Sequence, residues 1–384
     1  METKCIRLGD CILCNPKVKL IKGERYPVID IDKITVGRKY VSNKTFITFA
    51  GQSGCKFENG DTLMARITPC LENGKMAVAK IASKGLGSTE LFVFRSKDGV
   101  TDEEFVYYLL KQQYIRNLAA NSMTGASGRQ RADLKFIKRI KIQLPNLEVQ
   151  HRIASILSTY DTLIENNTQR IRLLEKMAEN LYKEWFVRFR FPGHENVEME
   201  NGLPKGWKVT KYEDEVNVKY GKGLPTDKLT KDGFPVFGSN GQIGYYTSYM
   251  YDTPQILISC RGASSGVVNI SLPKSFITNN SLICEMTNKT ESVFEYLKYY
   301  FLNTNLVQYQ TGSAQPQITI NNIVKLKLLI PSTDIQIKFA DKVRTLDKEV
   351  GNLQLQNSLL ARQRDLLLPR LMSGKLEVKE ELLE

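Results

Sequence analysis

Histidine is scarce in this 384-residue sequence, which contains only His151 and His194. The seven cysteines are odd in number and scattered along the chain, which argues against a disulfide framework and predicts reduced thiols. Cys11 and Cys14 form a CxxC pair, but no second ligand pair completes a tetrahedral zinc site, so no metal site is predicted. No apolar run reaches the ~18–20 residues that span a bilayer, and the first residues do not resemble a signal peptide. These absences predict a cytoplasmic protein with no membrane partner.

Sequence motifs of common enzymes are also missing. There is no GxxxxGK[ST] phosphate loop, no GxSxG elbow, no HExxH pair and no Asn-Pro-Pro-Tyr-like segment. A catalytic site needs several titratable groups that converge on one point, and the sequence offers no such set. We therefore expect no catalytic residues, no bound cofactor and a chain that is not an enzyme by itself.

The composition is that of a folded, basic protein. Hydrophobic residues make up 42% of the chain, which is ordinary for a globular protein. The 54 Lys and Arg residues exceed the 41 Asp and Glu residues, giving a formal charge of +13. An excess of this size favours a polyanionic partner such as nucleic acid.

The chain contains an internal duplication. The segment RIKIQLPNLEVQHRIASILSTYD at 139–161 matches KLKLLIPSTDIQIKFADKVRTLD at 325–347. The two copies keep a proline and an aspartate at a spacing of 186 residues (331−145 and 347−161), pairing Pro145 with Pro331 and Asp161 with Asp347. Upstream, a Thr-Gly turn at Thr124 matches one at Thr311. Similarity that keeps one order throughout predicts two units of one kind.

Each unit is predicted to begin with an α+β domain. Short strand-like runs (TFITFA, TLMARI, MAVAKI and LFVFR, then QILISC, GVVNI and SLICEM) alternate with Gly-rich turns, and each set precedes one amphipathic helix, at 102–120 and 291–307. This pattern is typical of an α+β domain with a curved or mostly antiparallel sheet.

After each conserved proline the apolar pattern changes to a helical period. The first stripe consists of Val149, Ile153, Ile156, Tyr160, Leu163, Asn167, Ile171, Leu174, Ala178, Leu181 and Trp185. The second consists of Ile335, Phe339, Val343, Leu346, Val350, Leu353, Asn357, Leu360, Arg364 and Leu367. Helices over 147–190 and 333–368 would be roughly 66 Å and 54 Å long at ~1.5 Å per residue, the second ending before Pro369.

The two matching stripes predict that the helices pack on each other as a coiled coil. The pseudo-two-fold duplication favours antiparallel packing, and parallel packing stays open. Asn167 and Asn357 are expected to interrupt the seam at different heights.

These patterns divide the chain into six segments. They are a first α+β domain (1–145), a long helix (146–190), a Gly/Pro-rich linker (191–205), a second α+β domain (206–331), a second long helix (332–368) and a tail (369–384).

Two helix-end segments, LLEKMAENLYKEWFVRF at 173–189 and QRDLLLPRLMSGKLEV at 363–378, resemble the specificity subunits of type I restriction–modification systems. The resemblance covers essentially the whole chain. It implies two target recognition domains that each read one half of an asymmetric double-stranded DNA site, with the helices setting the gap. It also implies two methyltransferase subunits and, in the full complex, restriction–translocation subunits as partners. S-adenosylmethionine, ATP and Mg would then be bound by those partners.

Candidate contact residues lie on Gly-rich loops at equivalent places in the two units, where Arg, Lys, Asn, Gln and Ser suit base and phosphate contacts. The DNA-binding candidates are Lys56, Arg66, Lys75, Arg129, Gln130, Arg131, Lys222, Asn240, Arg261, Ser264, Ser265, Gln315 and Gln317. The partner-binding candidates are Trp185, Phe186 and Leu371.

Two other functions fit the same sequence. A duplicated, non-catalytic scaffold with a basic surface would keep the fold without reading DNA sequence. A fused modification enzyme would supply its own catalysis. Methylation by the chain alone, against methylation only with partner subunits, separates these hypotheses.

Overall fold

The computed structural model describes residues 2–42, 45–125, 129–287, 290–312 and 315–376. The chain forms two compact units, and neither is continuous in sequence. Unit 1 comprises Met1–Arg170 and Asn352–Glu384, and unit 2 comprises Ile171–Gly351. Each long helix therefore contributes one part to each unit. Among the described residues, no helix is long and apolar enough to cross a membrane.

Eleven strands precede the first long helix among the described residues. They are β1 (Thr3–Arg7), β2 (Ile12–Cys14), β3 (Arg25–Ile29), β4 (Tyr40–Val41), β5 (Phe46–Thr48), β6 (Cys55–Glu58), β7 (Thr62–Ala65), β8 (Met76–Ala79), β9 (Lys84–Gly87), β10 (Leu91–Ser96) and β11 (Lys141–Pro145). The helices of this half are α1 (Leu8–Cys11), α2 (Glu103–Lys111), α3 (Gln113–Asn121), α4 (Leu134–Arg139) and α5 (Leu147–Tyr182).

The second half repeats this plan. Its strands are β12 (Met199–Glu200), β13 (Leu203–Pro204), β14 (Lys208–Lys211), β15 (Val216–Tyr220), β16 (Phe234–Gly238), β17 (Gly241–Tyr246), β18 (Ile256–Ser259), β19 (Val268–Ile270), β20 (Phe276–Ile277), β21 (Ser281–Met286) and β22 (Lys327–Ile330). Its helices are α6 (Tyr212–Glu215), α7 (Phe294–Asn303), α8 (Ile320–Ile323) and α9 (Thr333–Met372).

The sheets of the two units correspond to each other. In unit 1 the strand orders are β2-β10-β7-β8-β4 and β5-β3-β9-β6, and in unit 2 they are β15-β21-β18-β19 and β17-β16-β20. In each unit an early strand also pairs with the last, as β1 with β11 and β14 with β22, while β12 and β13 form a separate two-stranded sheet. Most pairs are antiparallel; the pairs β3·β9, β4·β8 and β16·β20 are parallel. The predicted α+β class with a mostly antiparallel sheet is confirmed.

Two buried glutamines fix the start of each long helix in the same way. In unit 1, Gln150 donates to the Pro145 carbonyl (2.8 Å) and accepts from the backbone N–H of Asp102 (3.0 Å). In unit 2, Gln336 donates to the Pro331 carbonyl (2.8 Å) and accepts from the N–H of Val293 (2.8 Å). Because 336−150 is again 186, the repeat extends to individual hydrogen bonds that tie the helix start to the recognition domain.

The long helices α5 and α9 pack antiparallel. In unit 1 the Asn167 side chain lies against Gln356 (3.4 Å) and Asn357 lies against Thr168 (3.5 Å). In the same unit, Asp161 of α5 pairs with Arg364 of α9. Residue numbers therefore fall from 167 to 161 along α5 while they rise from 356 to 364 along α9, which confirms the antiparallel coiled coil. The two asparagines were expected at different heights, and this was wrong, because antiparallel packing brings both into a single polar layer.

Leu163 was also assigned wrongly to the seam. Its side chain is 45% exposed, while Leu157 and Ile164 are buried in its place. A helix has 3.6 residues per turn, so Leu157 and Ile164, a heptad apart, occupy the seam and Leu163 turns outward.

Several helix boundaries differ from prediction, and the helix expected over 291–307 covers only Phe294–Asn303. Gln112 has an extended backbone (φ −56°, ψ 132°), so the helix expected over 102–120 is two helices, α2 and α3. The first long helix was expected to reach residue 190, but its α-helical part ends at Tyr182 and a π-helical turn follows over Lys183–Val187.

The second long helix does not end before Pro369 but continues to Met372. A proline inside a helix removes one backbone hydrogen bond and its ring crowds the carbonyl four residues earlier, at a cost of about 3 kcal/mol that tertiary packing can offset. Leu368, Leu371 and Met372 are all buried in the core of unit 1, and this burial keeps the last turn helical. Leu371 was a partner-binding candidate; its side chain is 1% exposed, so this assignment was wrong.

A buried ion pair crosses the seam in unit 1. The Arg364 guanidinium donates to the Asp161 carboxylate, and both side chains are 1% exposed. The Tyr108 hydroxyl also donates to Asp161, and Arg364 Nη1 donates to the Gly37 carbonyl (3.3 Å). Burial alone would lower the pKa of Arg364, but the Asp161 and Asp365 carboxylates together outweigh it and raise that pKa. The charged pair therefore joins both helices to the recognition domain of unit 1.

An aromatic cluster in unit 2 occupies the place that Leu368, Leu371 and Met372 occupy in unit 1, since Tyr182, Trp185 and Phe186 precede those residues by 186 positions. Phe339 lies at the centre, with its ring centroid 5.0 Å from that of Phe186, 5.9 Å from Trp185 and 6.3 Å from Tyr182. Trp185 and Phe186 are therefore buried within unit 2 and present no surface. Their assignment as partner-binding residues was wrong, because their helical spacing belongs to the core.

Candidate nucleic-acid interface

Two separate loops of unit 1 meet at Arg131. The backbone of Arg131 pairs with that of Thr124 through two hydrogen bonds (3.0 and 3.1 Å), and the next residue, Ala132, donates to the Arg66 carbonyl (2.8 Å). The N–H of Thr68 donates to the Gln130 carbonyl (3.0 Å). The predicted contact residues Arg66, Gln130 and Arg131 are thereby brought together.

Unit 2 repeats this arrangement bond for bond. Gln317 pairs with Thr311 through two backbone bonds (2.9 and 2.8 Å), and Ile318 donates to the Cys260 carbonyl (3.0 Å). The N–H of Gly262 donates to the Pro316 carbonyl (3.1 Å). Arg261 lies beside Gln317 through a β-bridge. Residues 315–317 thus contact the CRGASS loop (260–265) in the same way as residues 129–131 contact the loop that contains Arg66.

The turn that begins this arrangement needs glycine in both units. Gly125 has φ +122° and Gly312 has φ +87°, and L-residues with a side chain rarely adopt such values. A Cβ at Gly312 would also lie 2.8 Å from the Gln315 carbonyl oxygen. The two matching Thr-Gly pairs of the sequence therefore form the same turn, once in each unit.

A basic cleft of about 630 Å³ opens beside Arg131 in unit 1. Its lining includes Arg66, Arg131, Lys135 and Lys138, with Asp133 as an acidic residue. The Arg66 guanidinium lies over the Phe92 ring (5.1 Å), and its buried Nε has no hydrogen-bond partner among the described residues. Lys135 and Lys138 were not among the predicted contact residues. The basic segment LKFIKR, which forms α4 after its N-cap Asp133, could have indicated them.

Arg131 is held by one carboxylate. Its Nε lies 2.9 Å from Glu90 Oε2 and its Nη2 lies 2.6 Å from Glu90 Oε1. The hydrogen bond from Arg131 lowers the pKa of Glu90, so Glu90 is ionised at neutral pH. The Arg131 side chain is still 43% exposed. Arg129, two residues before it, is also exposed.

The predicted residues of unit 2 form a polar, mostly uncharged surface. Ser264 donates a hydrogen bond to the Asn240 side chain, and Ser239 donates to the Asn280 carbonyl (3.1 Å). Arg261, Gln315 and Gln317 are exposed. Lys222 is exposed and pairs by a backbone bridge with Thr278, close to Asn280 in the chain.

Three DNA-binding candidates do not belong to these surfaces. Ser265 is 1% exposed, so its hydroxyl cannot contact DNA, and this assignment was wrong. Lys75 donates to the Ile31 carbonyl (3.0 Å), away from the basic cleft. Lys56 lies on β6 with its ammonium 5.0 Å from the Phe49 ring, in the other sheet. The Gly-rich sequence around these three residues gave no indication of their burial or contacts.

The CxxC pair has the character of packed thiols. Burial raises the pKa of Cys11 to about 12 and that of Cys14 to about 11, so both are protonated at neutral pH. Within the described ranges, no group of three or more His, Cys, Asp or Glu residues could hold a metal ion.

Comparison with known proteins identifies the family. The family model of the type I restriction modification DNA specificity domain matches residues 4–176 and again 204–361. The chain belongs to this family. Both halves of the duplication thus correspond to one DNA specificity domain each, as the resemblance implied.

Individual relatives agree with this assignment. The chain is 29% identical to the type I restriction enzyme MjaIX specificity subunit of Methanocaldococcus jannaschii over 74% of this chain and 71% of the relative. It is 22% identical to the MjaVIII specificity subunit of the same organism over 98% and 94%. The fold is similar to the crystal structure of the type I S subunit from M. genitalium, with a TM-score of 0.53 at 18% identity, covering 96% of both chains.

Proposed function

We propose that the chain is the DNA sequence-specificity subunit of a type I restriction–modification complex. Each recognition domain reads one half of an asymmetric, two-part DNA site, and the long helices set the distance between the halves. The chain itself contributes sequence reading. Adenine methylation with S-adenosylmethionine, and ATP- and Mg-dependent cleavage, belong to its partner subunits.

The observation that carries this proposal is the duplicated loop arrangement around Arg131 and Gln317. The backbone hydrogen bonds are the same in both units, whereas the exposed side chains differ. A scaffold that serves only to hold the fold needs the shared bonds but has no reason to vary exposed Arg and Gln on rigid loops. Reading two different half-sites requires this divergence.

The charge of the two surfaces also differs. Unit 1 offers a cleft lined by four cationic side chains, and unit 2 offers Asn, Ser and Gln with Arg261. Cations dominate affinity through phosphate contacts, and amides and hydroxyls contribute mainly to base contacts. We therefore expect unit 1 to provide more of the salt-dependent affinity.

Docking of methyltransferase subunits is supported by exposed apolar side chains on the long helices. In unit 1 these are Leu163, Leu355, Leu359 and Leu366, and in unit 2 they are Leu173, Met177 and Ile337. Spacings of four and seven residues place such side chains on one face of a helix. Exposed apolar faces of this kind are typical of protein interfaces.

Selection from a random duplex library tests the proposed function. The full chain, co-expressed with the methyltransferase subunits of its system, is expected to enrich two short conserved blocks separated by a spacer of constant length. Exchanging residues 1–145 for those of another family member should change one block only. If no sequence is enriched, the scaffold hypothesis is correct, and if the chain alone methylates DNA, the fused enzyme is correct.

Lengthening both helices by one heptad should lengthen the spacer. Seven residues inserted after Asn167 and seven after Gln356, which lie in one layer, preserve the seam and add about 10.5 Å, roughly three base-pair rises. The enriched blocks should stay the same while their separation grows by about three base pairs. The matched control is the same insertion after Asn201 in the turn between β12 and β13, which should leave the spacer unchanged. An unchanged spacer in the helix variant, with full binding, would contradict a spacing role.

A further inference from the structure

The geometry points to position 131 and its counterpart 317 as base-reading positions, with Arg131, oriented by Glu90, contacting guanine and Gln317 contacting adenine. This inference rests on the proposed function and adds the residues and the bases.

Glu90 uses one edge of the Arg131 guanidinium and leaves the other available. A guanidinium carries five N–H donors, one on Nε and two on each Nη. The Glu90 carboxylate lies against Nε (2.9 Å) and Nη2 (2.6 Å), which accounts for two of them. The remaining donors include the parallel pair on Nη1 and Nη2. This pair fits the O6 and N7 acceptors of guanine in the major groove.

The backbone of Arg131 is as well defined as its side chain. Two hydrogen bonds to Thr124 hold residue 131 on one side, and the bond from Ala132 to Arg66 holds it on the other. Ordering a flexible arginine on binding costs free energy, and a side chain already oriented by Glu90 avoids most of that cost. Arg131 is thus preorganised for a hydrogen-bonded contact that depends on the orientation of its guanidinium.

A phosphate contact explains the same residue less well. Phosphate binding needs positive charge but no particular orientation, and Lys135, Lys138 and Arg129 supply exposed charge nearby without a carboxylate partner among the described residues. Glu90 would weaken a phosphate contact, because its negative charge lies beside Arg131 and repels the DNA backbone. A carboxylate that orients the guanidinium is useful only where direction matters.

A purely structural role also explains the Arg131–Glu90 ion pair less well than base reading does. Half-exposed ion pairs contribute little to stability, and the backbone bonds of residue 131 do not involve its side chain. Unit 2 makes the same backbone bonds with Gln317, which has no ion pair. The fold therefore does not require an arginine–glutamate pair at this position.

Gln317 suits a different base. A glutamine amide offers one donor and one acceptor side by side, which match N7 and the N6 amino group of adenine. Gln317 is exposed, and its backbone takes the same bonds as that of Arg131. The same structural position, occupied by Arg131 in unit 1 and by Gln317 in unit 2, would then recognise guanine in one half-site and adenine in the other.

The test compares Arg131→Lys, Arg131→Gln, Glu90→Gln and Gln317→Arg in library selection with the full chain and its methyltransferase subunits. Arg131→Lys keeps the charge but loses the two parallel N–H donors of the guanidinium. The preference for guanine at one position of one block should therefore fall about ten- to a hundred-fold. Arg131→Gln should shift that position toward adenine, and Gln317→Arg should shift one adenine of the other block toward guanine. Glu90→Gln should weaken the guanine preference while leaving the other positions unchanged.

Lys135→Gln is the matched control, because it removes a nearby exposed cation and should weaken binding to all sequences alike. Equal melting temperatures of all variants show that folding is intact. If the wild-type complex enriches no two-part sequence, the proposed function itself fails. If it does enrich one, and Arg131→Lys retains the guanine preference or the Arg131 and Gln317 variants leave both blocks unchanged, the base-reading assignment is overturned.

Discussion

Replacing Asp161 with asparagine is expected to lower the free energy of unfolding by about 3–5 kcal/mol, because it removes the buried carboxylate that faces the Arg364 guanidinium. Only the half-exposed Asp365 carboxylate, 3.0 Å from Arg364 Nε, then remains as a charged partner. The substitution keeps the shape of the side chain, so the loss reports charge rather than volume. Both partners are 1% exposed, and water cannot replace the missing carboxylate. Equilibrium unfolding in urea, followed by circular dichroism, measures the change.

The repeat supplies a matched control for this variant. Asp347 occupies the place of Asp161 in unit 2, and it also accepts a hydrogen bond from a tyrosine, Tyr299 (2.8 Å). The residue 186 positions before Arg364 is Ala178, so no buried arginine faces Asp347; its ion-pair partner is Lys298 (2.7 Å), and its side chain is 30% exposed. Asp347→Asn should therefore cost only about 1 kcal/mol.

Replacing both members of the buried pair separates the cost of an unpaired charge from the value of the pair. Asp161→Leu combined with Arg364→Leu should restore most of the stability lost by Asp161→Asn, since apolar packing commonly replaces a buried ion pair without loss. Equal losses for Asp161→Asn and Asp347→Asn would show that burial of Arg364 is not what makes Asp161 important.

The duplication allowed much of the fold to be predicted from the sequence. A proline and an aspartate at the same spacing gave the two units, and the helical period gave the long helices and their antiparallel packing. The reason Asp161 recurs was not predictable, since its partner Arg364 lies 203 residues away and reaches it only once the helices pack. The polar layer of Asn167 and Asn357 was misplaced for the same reason: heights along a coiled coil depend on the register between helices.

The candidate interface was predicted in part. Gly-rich loops with Arg or Gln led to Arg66, Arg131, Arg261 and Gln317, and the structure brings these together in pairs. Glu90 was missed, because an acidic residue in the turn before β10 has no sequence feature that links it to Arg131. The opposite error occurred with Trp185, where large aromatic side chains near a helix end suggested a surface and instead form the core. Local composition indicates loops and helices, but burial is decided by long-range packing.

Replacing Phe339 with alanine should lower the stability of unit 2 by about 3–5 kcal/mol, because it empties the centre of the cluster around Trp185, Phe186 and Tyr182. Hydrogen exchange should show faster exchange of the buried strand β18 in unit 2, while β10 in unit 1 keeps its protection. Phe339→Leu retains part of the volume and should cost less. If instead the alanine variant folds with unchanged stability but no longer binds methyltransferase subunits, the aromatic cluster acts as a partner surface after all, and its interpretation as a core is wrong.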